Sequence, residues 1–335
     1  MPTAPTTPSL METETGTRTP RVRASLRRTE IILAGLSLVA FVVLAITTGG
    51  NLVEPGTLRA VFQFLAVPMV IGLSQMVVLA VGQMNLSVGV LTGLTAVSAA
   101  GLMVESGWPA WLAVLAALVI GLVVGLVNGL LVVVTRINGF IVTLATMTII
   151  SGVRYGVNGT GTYQGYSDGL VSLGRASVLG VPTVFLAAVV VAVLVAVFFA
   201  RSVLGRQLLA SGGNPLAARL SGISNDRSIV VAHVLSGLLA GVAGVLVLAL
   251  SGSVNASIGD DLLLPSFAAP IIGGVALTGG VVSVLGTCLA AFIVRLVDVA
   301  QAQYNINPRW VDLVVGAVVL GAVLVSQKRI GKGGT

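Results

Sequence analysis

The feature that most constrains this chain is a series of apolar runs, several of them longer than the roughly 18 residues that cross a bilayer as a helix. Apolar types make up 56% of the 335 residues and charged types only 9%. Such a chain has too little polar surface to cover a water-soluble globule. Because a helix satisfies its backbone polar groups within its own segment, the sequence predicts an all-α polytopic membrane protein.

The apolar runs and the polar breaks between them predict about ten transmembrane or partly membrane-spanning helices. They lie near 31–49, 58–81, 86–104, 110–134, 137–152, 178–200, 228–251, 262–278, 281–297 and 310–326. Whether 58–81 and 262–278 cross completely is left open. Ten crossings place both termini on the same side of the membrane.

Basic residues predict which side that is, because lysine and arginine concentrate in cytoplasmic loops. With a cytoplasmic N-terminus, thirteen of the 18 basic residues lie inside, four lie outside and Arg295 falls within a span. The inside set is Arg18, Arg21, Arg23, Arg27, Arg28, Arg136, Arg201, Arg206, Arg219, Arg227, Lys328, Arg329 and Lys332, and the outside set is Arg59, Arg154, Arg175 and Arg309. Both termini are therefore expected in the cytoplasm.

The chain divides into three regions. Residues 1–30 are rich in Thr, Pro and Ser and end in arginines, which predicts a disordered basic cytoplasmic tail. Residues 31–327 form the transmembrane domain, with 201–227 as its longest cytoplasmic loop, and 328–335 form a second basic tail. An uncleaved first span is favoured over a cleaved signal peptide, because the first apolar run is long for a signal and no clean cleavage site follows.

Glycine occurs in two kinds of pattern. Stripes spaced three or four apart, Gly121-Gly125-Gly129 and Gly237-Gly241-Gly244, predict close helix packing and carry no information on function. The stretches "GQMNLSVG" (82–89) and "IIGGVALTGGVVSVLGT" (271–287) instead interrupt apolar runs, and they are either plain turns or parts of a transport path. The path candidates are Asn85, Ser87, Gly89, Gly273, Gly274, Gly279 and Gly280.

Catalytic and metal-binding residue sets are not recognisable. His233 is the single histidine and has no acidic neighbour in sequence, and Cys288 is the single cysteine. Both are expected to be packed helix residues, so no metal site and no catalytic residue is predicted. There is no phosphate-binding G-x-x-x-x-G-K-[ST] loop. Arg295 and Asp298 are spaced to pair on one helix face, for structural or transport reasons.

The loop "LLASGGNPLAARLSGISNDR" (208–227) contains the signals of a complete short helix. Asn214 is a favourable N-cap, Pro215 suits the first helical position, and Gly222 can end the helix in a left-handed conformation. A capped helix of two turns or less outside the bilayer suggests docking into a groove of another protein. A solvated connector that touches lipid headgroups is the alternative.

Four motifs in the same order resemble ATP-binding-cassette importer permeases of the ribose and autoinducer-2 family. "GRQLLASGGNPLAARLSGI" (205–223) is similar to their cytoplasmic loop, and "NLSVG" (85–89) to their "DLSVG". "NGLLVVVTRINGFIVTLATM" (128–147) and the 271–287 stretch match two further family motifs. The resemblance covers nearly everything after residue 30.

The resemblance implies a permease subunit in a bacterial cytoplasmic membrane that imports a small solute, such as a monosaccharide (ribose, another pentose or a hexose), a polyol or autoinducer-2. Its implied partners, besides membrane lipid, are a second permease subunit, identical or related, a cytoplasmic ATPase that holds ATP and Mg, and a soluble binding protein outside. This chain would bind no cofactor, and nucleic acid is not expected. The coupling helix would comprise Asn214, Pro215, Ala217, Ala218, Arg219, Leu220 and Gly222, with the alanines allowing close approach, Leu220 as apolar anchor and Arg219 as polar latch.

Some positions depart from the family pattern. Asn85 stands where the family has aspartate, and Leu263 and Pro265 stand where acids are common, so the solute can differ from ribose. Asp260 and Asp261 are candidate contacts for the binding protein. The outer loop 153–177 is a second candidate landing surface, where Tyr163 and Tyr166 are either contacts or merely solvated.

Two other functional classes remain as alternatives. An ion-coupled secondary transporter with an incidental cytoplasmic loop is the first, although few carboxylates or histidines lie in the spans to carry the ion. A membrane-embedded enzyme is the second, and it lacks the residues that catalysis needs. Uptake by this chain alone under an ion gradient would favour the secondary transporter.

Overall fold

The computed structural model describes residues 18–159 and 161–307 and the positions 310, 313, 316, 317 and 321, with the backbone alone for 18–27. Its α-helices are α1 (Arg18–Thr47), α2 (Pro55–Leu79), α3 (Val88–Val104), α4 (Ala110–Thr135), α5 (Gly139–Asn158), α6 (Asp168–Arg175), α7 (Thr183–Arg201), α8 (Val203–Gly213), α9 (Pro215–Leu220), α10 (Asn225–Ser251), α11 (Leu263–Ile272) and α12 (Val284–Tyr304).

Seven of the described helices are long and apolar enough to cross a membrane, and the apolar α3 is slightly shorter, which confirms the all-α polytopic class. The seven are α1, α2, α4, α5, α7, α10 and α12. In their most apolar stretches, 78% of α2 and 61% of α10 are buried, against 17% of α1. The bundle is therefore built around α2 and α10, and the other spans present apolar side chains to the surroundings, as lipid contact requires.

Two expected boundaries are corrected. Helix α11 has only 10 residues, about 15 Å at 1.5 Å per residue, so the predicted span 262–278 is helical over only part of its length and continues from Gly273 as a non-helical segment. Helix α1 begins at Arg18, inside the segment 1–30 that was predicted to be disordered. Between Arg21 and Ala34 no glycine or proline interrupts the helix, and arginine is a good helix former.

The remaining terminal predictions lie outside the described residues. These are the tail before Arg18, the basic tail 328–335 and most of the tenth span 310–326, of which the structure describes four isolated positions besides Trp310.

Two short antiparallel strand pairs lie at the end of the bundle opposite α9. Strand β1 (Thr162–Gln164) pairs with β4 (Ser253–Asn255), with Tyr163 opposite Val254. Strand β2 (Ser177–Val178) pairs with β3 (Val181–Pro182) in a tight hairpin. The β1–β4 pair joins the loop after α5 to the segment between α10 and α11, although 91 residues separate Thr162 from Ser253 in sequence.

The two glycine stripes pack directly on each other, which confirms their predicted role. Helices α4 and α10 run antiparallel with backbone in contact with backbone, so that a Cβ at Gly125 would overlap the carbonyl oxygen of His233, and one at Gly237 that of Gly121. His233 is fully buried beside this contact, and its Nδ1 lies 3.0 Å from the carbonyl oxygen of Ile229. As expected, the histidine is a packed helix residue.

Replacing Gly237 with alanine is expected to destabilise the protein by about 1–3 kcal/mol, because the added methyl group must push α4 and α10 apart. Denaturation of the purified protein in mixed micelles measures the change in the free energy of unfolding. Gly152→Ala is the matched control, since a Cβ at that α5 position meets nothing within 4 Å. Equal stabilities of the two variants would contradict the packing argument.

Candidate functional site

The predicted short helix is present as α9, with the predicted caps. The Oδ1 atom of Asn214 accepts a hydrogen bond from the backbone N–H of Ala217 at 3.0 Å, and Pro215 occupies the first turn. Gly222 follows the helix with φ +79°, a conformation that favours glycine. The observed cap geometry confirms the predicted start and end of α9.

Helix α9 is held firmly against the bundle. Asn225 at the start of α10 donates from Nδ2 to the Pro215 carbonyl at 2.8 Å, and its Oδ1 accepts from Ser211 at 2.9 Å. Next to it, Arg136 after α4 forms a two-pronged ion pair with Asp226, at 2.6 and 2.9 Å. Helix α9 is therefore tied to α8 and α10, and α10 is tied in turn to the end of α4.

The outer face of α9 is apolar. Leu216 and Leu220 are 69% and 82% exposed, and they are four residues apart, which places them on one side of the helix. Ala217 and Arg219 are also exposed, whereas Ala218 is buried against the protein. Ala218 therefore packs α9 against its own subunit, and the expected role of these residues in docking a partner stays a prediction. Leu216 was not among the predicted residues, although its spacing from Leu220 was a usable signal.

The two interrupted glycine stretches meet directly behind α9. We call this contact the glycine junction, formed by 80–82, 212–213 and 279–280. The N–H of Gly280 donates to the carbonyl of Ala80 at 2.9 Å, and a Cβ at Gly279 would lie 2.7 Å from the nitrogen of Gly82. Gly82, Gly279 and Gly280 all have positive φ. The junction is thus a contact of backbone with backbone that side chains would prevent.

The other predicted path glycines lie close by. Gly274 has φ +86° and faces Thr29 of α1, while a Cβ at Gly273 would lie 2.6 Å from the nitrogen of Thr287. Gly273 therefore allows α11 and the start of α12 to touch. These residues occupy the non-helical segment between α11 and α12, where an interrupted helix was expected.

Asn85 and Ser87 lie inside the subunit and are fully buried. The Oδ1 atom of Asn85 accepts from the Ser87 backbone at 3.0 Å and its hydroxyl at 2.7 Å, and Nδ2 donates to Ser236 at 3.1 Å. Asn128 donates to Ser87 at 3.0 Å. These bonds satisfy the Ser87 N–H and fix the non-helical segment between α2 and α3 to Ser236 of α10 and Asn128 of α4.

Gly89 gives the neighbouring segment its close fit. A Cβ there would lie 2.7 Å from the carbonyl oxygen of Gly259 and 3.1 Å from the nitrogen of Leu263. Helix α3 can therefore press against the short 3₁₀ helix Asp260–Leu262 that precedes α11.

A buried arginine anchors the segment around the 3₁₀ helix Asp260–Leu262, and the sequence analysis did not predict this role. Arg154 of α5 is 1% exposed, and its guanidinium lies 2.6 Å from the Asp260 carboxylate and 2.7 Å from the Ile258 carbonyl oxygen. Asp260, which was a candidate contact for a binding protein, is thus an internal partner. The sequence alone does not show whether an arginine near the end of an apolar run points into the protein or into solvent.

The two outer-loop tyrosines are also structural. Tyr163 and Tyr166 are buried, and their hydroxyls donate to Glu105 at 2.6 Å and to the Leu248 carbonyl at 2.8 Å. The hydrogen bond to Glu105 and partial burial raise the pKa of Tyr163 to about 12. The expectation that these side chains contact a partner or are solvated is wrong, because they fix the loop to α3 and α10.

Comparison with known proteins gives a consistent result. The sequence profile of the family described as the permease component of the branched-chain amino acid transport system matches residues 58–323, which is most of the chain. The chain belongs to this permease family. No solved structure matches it significantly.

Individual relatives of the permease are ATP-binding-cassette importer subunits. It is 30% identical over 272 residues to the autoinducer 2 import system permease protein LsrC of Enterobacter sp. (strain 638), covering 81% of this chain and 79% of that protein. It is 30% identical over 305 residues to the fructose import permease protein FrcC of Rhizobium meliloti, covering 89% and 84%. It is 31% identical over 317 residues to a probable ABC transporter permease protein, y4mJ, of Sinorhizobium fredii, covering 92% of each.

The permease is therefore a multi-pass protein of the cytoplasmic membrane and the transmembrane subunit of an ATP-binding-cassette importer. It is not itself an enzyme, since the ATPase of such importers is a separate subunit.

Proposed function

We propose that the permease imports a small neutral polyhydroxylated solute, such as fructose, ribose, a polyol or autoinducer-2. The relatives named for fructose and for autoinducer 2 support this solute class. The proposed coupling to a separate ATPase rests on the structure of α9, a capped helix that is fixed to the bundle, exposes two leucines and has the glycine junction behind it.

The proposed orientation places α9 and both termini in the cytoplasm, with ten crossings between them, of which the segment 262–278 is helical only over α11. Residues 31–327 form the proposed transmembrane domain, with 201–227 as its cytoplasmic loop. Five described arginines lie at the end of the bundle that carries α9, which agrees with the excess of positive charge in cytoplasmic loops. They are Arg136, Arg201, Arg206, Arg219 and Arg227.

The proposed partners are a second permease subunit, a cytoplasmic ATPase holding ATP and Mg, and an external solute-binding protein. Leu216 and Leu220 would enter a groove of the ATPase, in the manner of a helix that inserts its apolar face. The Arg219 side chain lies beside them and would bind a polar group at the rim of the groove.

Within the permease, the proposed transmission runs from α9 through the glycine junction. Because α8 ends in Gly212 and Gly213, a displacement of α9 pushes on the backbone of 80–82 and of 279–280. These segments lead into α3 and α12, so both helices move together. The path candidates Asn85, Ser87, Gly89, Gly273, Gly274, Gly279 and Gly280 all belong to these two interrupted regions.

ATP-dependent uptake tests the proposal. Proteoliposomes containing the permease with its partner ATPase and solute-binding protein are expected to accumulate labelled fructose, ribose or autoinducer-2 when ATP is enclosed on the ATPase side. Labelled leucine serves as the competing probe, because the family description refers to amino acids.

Omitting the ATPase is the control and is expected to remove accumulation completely. Uptake by the permease alone, driven by a proton or sodium gradient, would contradict the proposal and support a secondary transporter. Uptake of leucine alone would contradict the solute class and leave the ATP-driven mechanism standing.

A further inference from the structure

A cavity of about 430 Å³ lies between α2, the last turn of α10, the segment 258–265 and α12, and we call it the α12 cavity. Its volume is within the range of about 300–1,000 Å³ that is usual for small-molecule sites. Val67, Pro68 and Leu264 form apolar parts of its wall, while Asp261, Arg295 and Asp298 supply charged groups. Part of its wall is the segment that Arg154 anchors.

Arg295 is placed unusually for a membrane helix. It is the twelfth residue of α12, about 17 Å along the helix from its start, and its side chain is 21% exposed. The guanidinium lies 5.2 Å from the centre of the Phe64 ring, which holds it by a cation–π contact. A charge at such a depth is costly and is typical of functional positions.

The guanidinium keeps unused hydrogen-bonding capacity. Its Nη1 atom is 3.7 Å from Oδ2 of Asp298, the expected ion pair, but this distance is too long for a hydrogen bond. Its Nε is buried and has no hydrogen-bond partner among the residues that the structure describes. Since a guanidinium carries five N–H donors, donors remain available to a molecule in the cavity.

We propose that the α12 cavity is a solute-binding site on the transport path, where Arg295 and Asp298 together contact the solute. Arg295 donates to hydroxyl oxygens and Asp298 accepts from hydroxyl groups, so neighbouring hydroxyls of one solute satisfy both. The apolar wall faces the C–H side of the solute. Among the described residues, the cavity wall carries both a positive group, Arg295, and the carboxylates Asp261 and Asp298. This inference rests on the proposed function, which supplies the solute class.

Paired substitutions separate hydrogen bonding from charge. The amide pair, Arg295→Gln with Asp298→Asn, removes both charges and keeps groups that form hydrogen bonds. The leucine pair, Arg295→Leu with Asp298→Leu, removes both the charges and the hydrogen-bonding groups. Each pair changes the guanidinium and the carboxylate together, so neither group is removed while its partner in this ion pair stays charged. For a neutral polyhydroxylated solute, the amide pair is expected to keep at least a third of the ATP-dependent uptake of fructose or ribose. The leucine pair is expected to lose at least tenfold.

The readout includes ATP hydrolysis stimulated by the solute-loaded binding protein. A loss of solute contacts lowers uptake while stimulated hydrolysis stays within twofold of wild type, whereas a structural defect lowers both together. The control, Glu54→Gln, makes the same carboxylate-to-amide change at an exposed position before α2, outside the cavity and outside the loop 153–177. Its uptake is expected to stay within twofold of wild type.

Wild-type uptake in the leucine pair would overturn the inference and leave the proposed function intact. An equal loss in both pairs would also overturn it, because that result indicates recognition by charge, as for an amino acid. No ATP-dependent uptake by the wild type would instead refute the proposed function.

Cysteine labelling provides a test if the leucine pair does not insert. Cys288 is the only cysteine of the chain, so Cys288→Ala combined with Gln301→Cys places a single thiol in the cavity wall. Fructose or ribose is expected to slow its reaction with a small polar thiol reagent at least threefold. The reaction of Leu179→Cys, at a 99% exposed position, is expected to be unchanged. Equal rates with and without sugar at Gln301→Cys would overturn the inference.

Discussion

Replacing Leu216 and Leu220 together with aspartate is expected to abolish ATP-driven uptake while the permease still inserts into the membrane. Both side chains are largely exposed and make little contribution to the subunit's own packing. Burying a leucine stabilises by about 1.5–3 kcal/mol, so losing two docked leucines weakens ATPase binding by at least about a hundredfold. Retention of the ATPase on the purified permease and uptake in proteoliposomes measure the two effects.

Two further changes on this helix are expected to act in the same direction. Arg219→Glu reverses a charge at the edge of the docking face, and deletion of 214–222 removes the helix. Leu179→Asp is the matched control, since Leu179 is equally exposed but lies in the β2–β3 hairpin at the opposite end of the bundle. Undiminished uptake after the deletion would rule out α9 as the docking element.

The second large effect concerns Arg154 and Asp260, and it is expected to be asymmetric. Asp260→Ala leaves the guanidinium of Arg154 buried without its carboxylate, which costs about 3–5 kcal/mol. Arg154→Met places an apolar side chain of similar length in the same space. The Asp260 side chain is 49% exposed and can be solvated instead, so this change is expected to cost at least 2 kcal/mol less than Asp260→Ala.

Denaturation in mixed micelles measures both variants, and Asp226→Ala provides the comparison. Its partner Arg136 is 68% exposed, so loss of that surface ion pair is expected to cost less than about 1 kcal/mol. Equal costs for Arg154→Met and Asp260→Ala would show that the buried charge is not the dominant contribution.

The sequence predicted the helices well where a single physical signal dominates. Long apolar runs located the seven spans, with ends that differ from the observed ones by up to seven residues, because lipid imposes a minimum length on a continuous helix. The caps of α9 were predictable because Asn214, Pro215 and Gly222 act on adjacent backbone. Glycine spacing likewise predicted close packing, and the α4–α10 contact confirms it.

Features that depend on contacts between distant segments could not be predicted. The direction of Arg154 depends on Asp260, which is 106 residues later, and the burial of Tyr163 depends on the β1–β4 pairing. The apolar run 262–278 was predicted as one continuous helix because composition does not reveal a helix end at Ile272. That end arises where Gly273 and Gly274 allow α11 to contact α12 and α1.

The glycine junction also bears on how such a protein changes during evolution. The three segments of the junction contact one another through backbone atoms, so the contact requires glycine there. It does not depend on which side chains the neighbouring residues carry. If the α12 cavity binds the solute as proposed, side chains such as Arg295 and Asp298 can change with the solute while the backbone contacts of the junction stay the same. Related permeases could then differ in the solute that they transport and keep the same coupling between the glycine junction and α9.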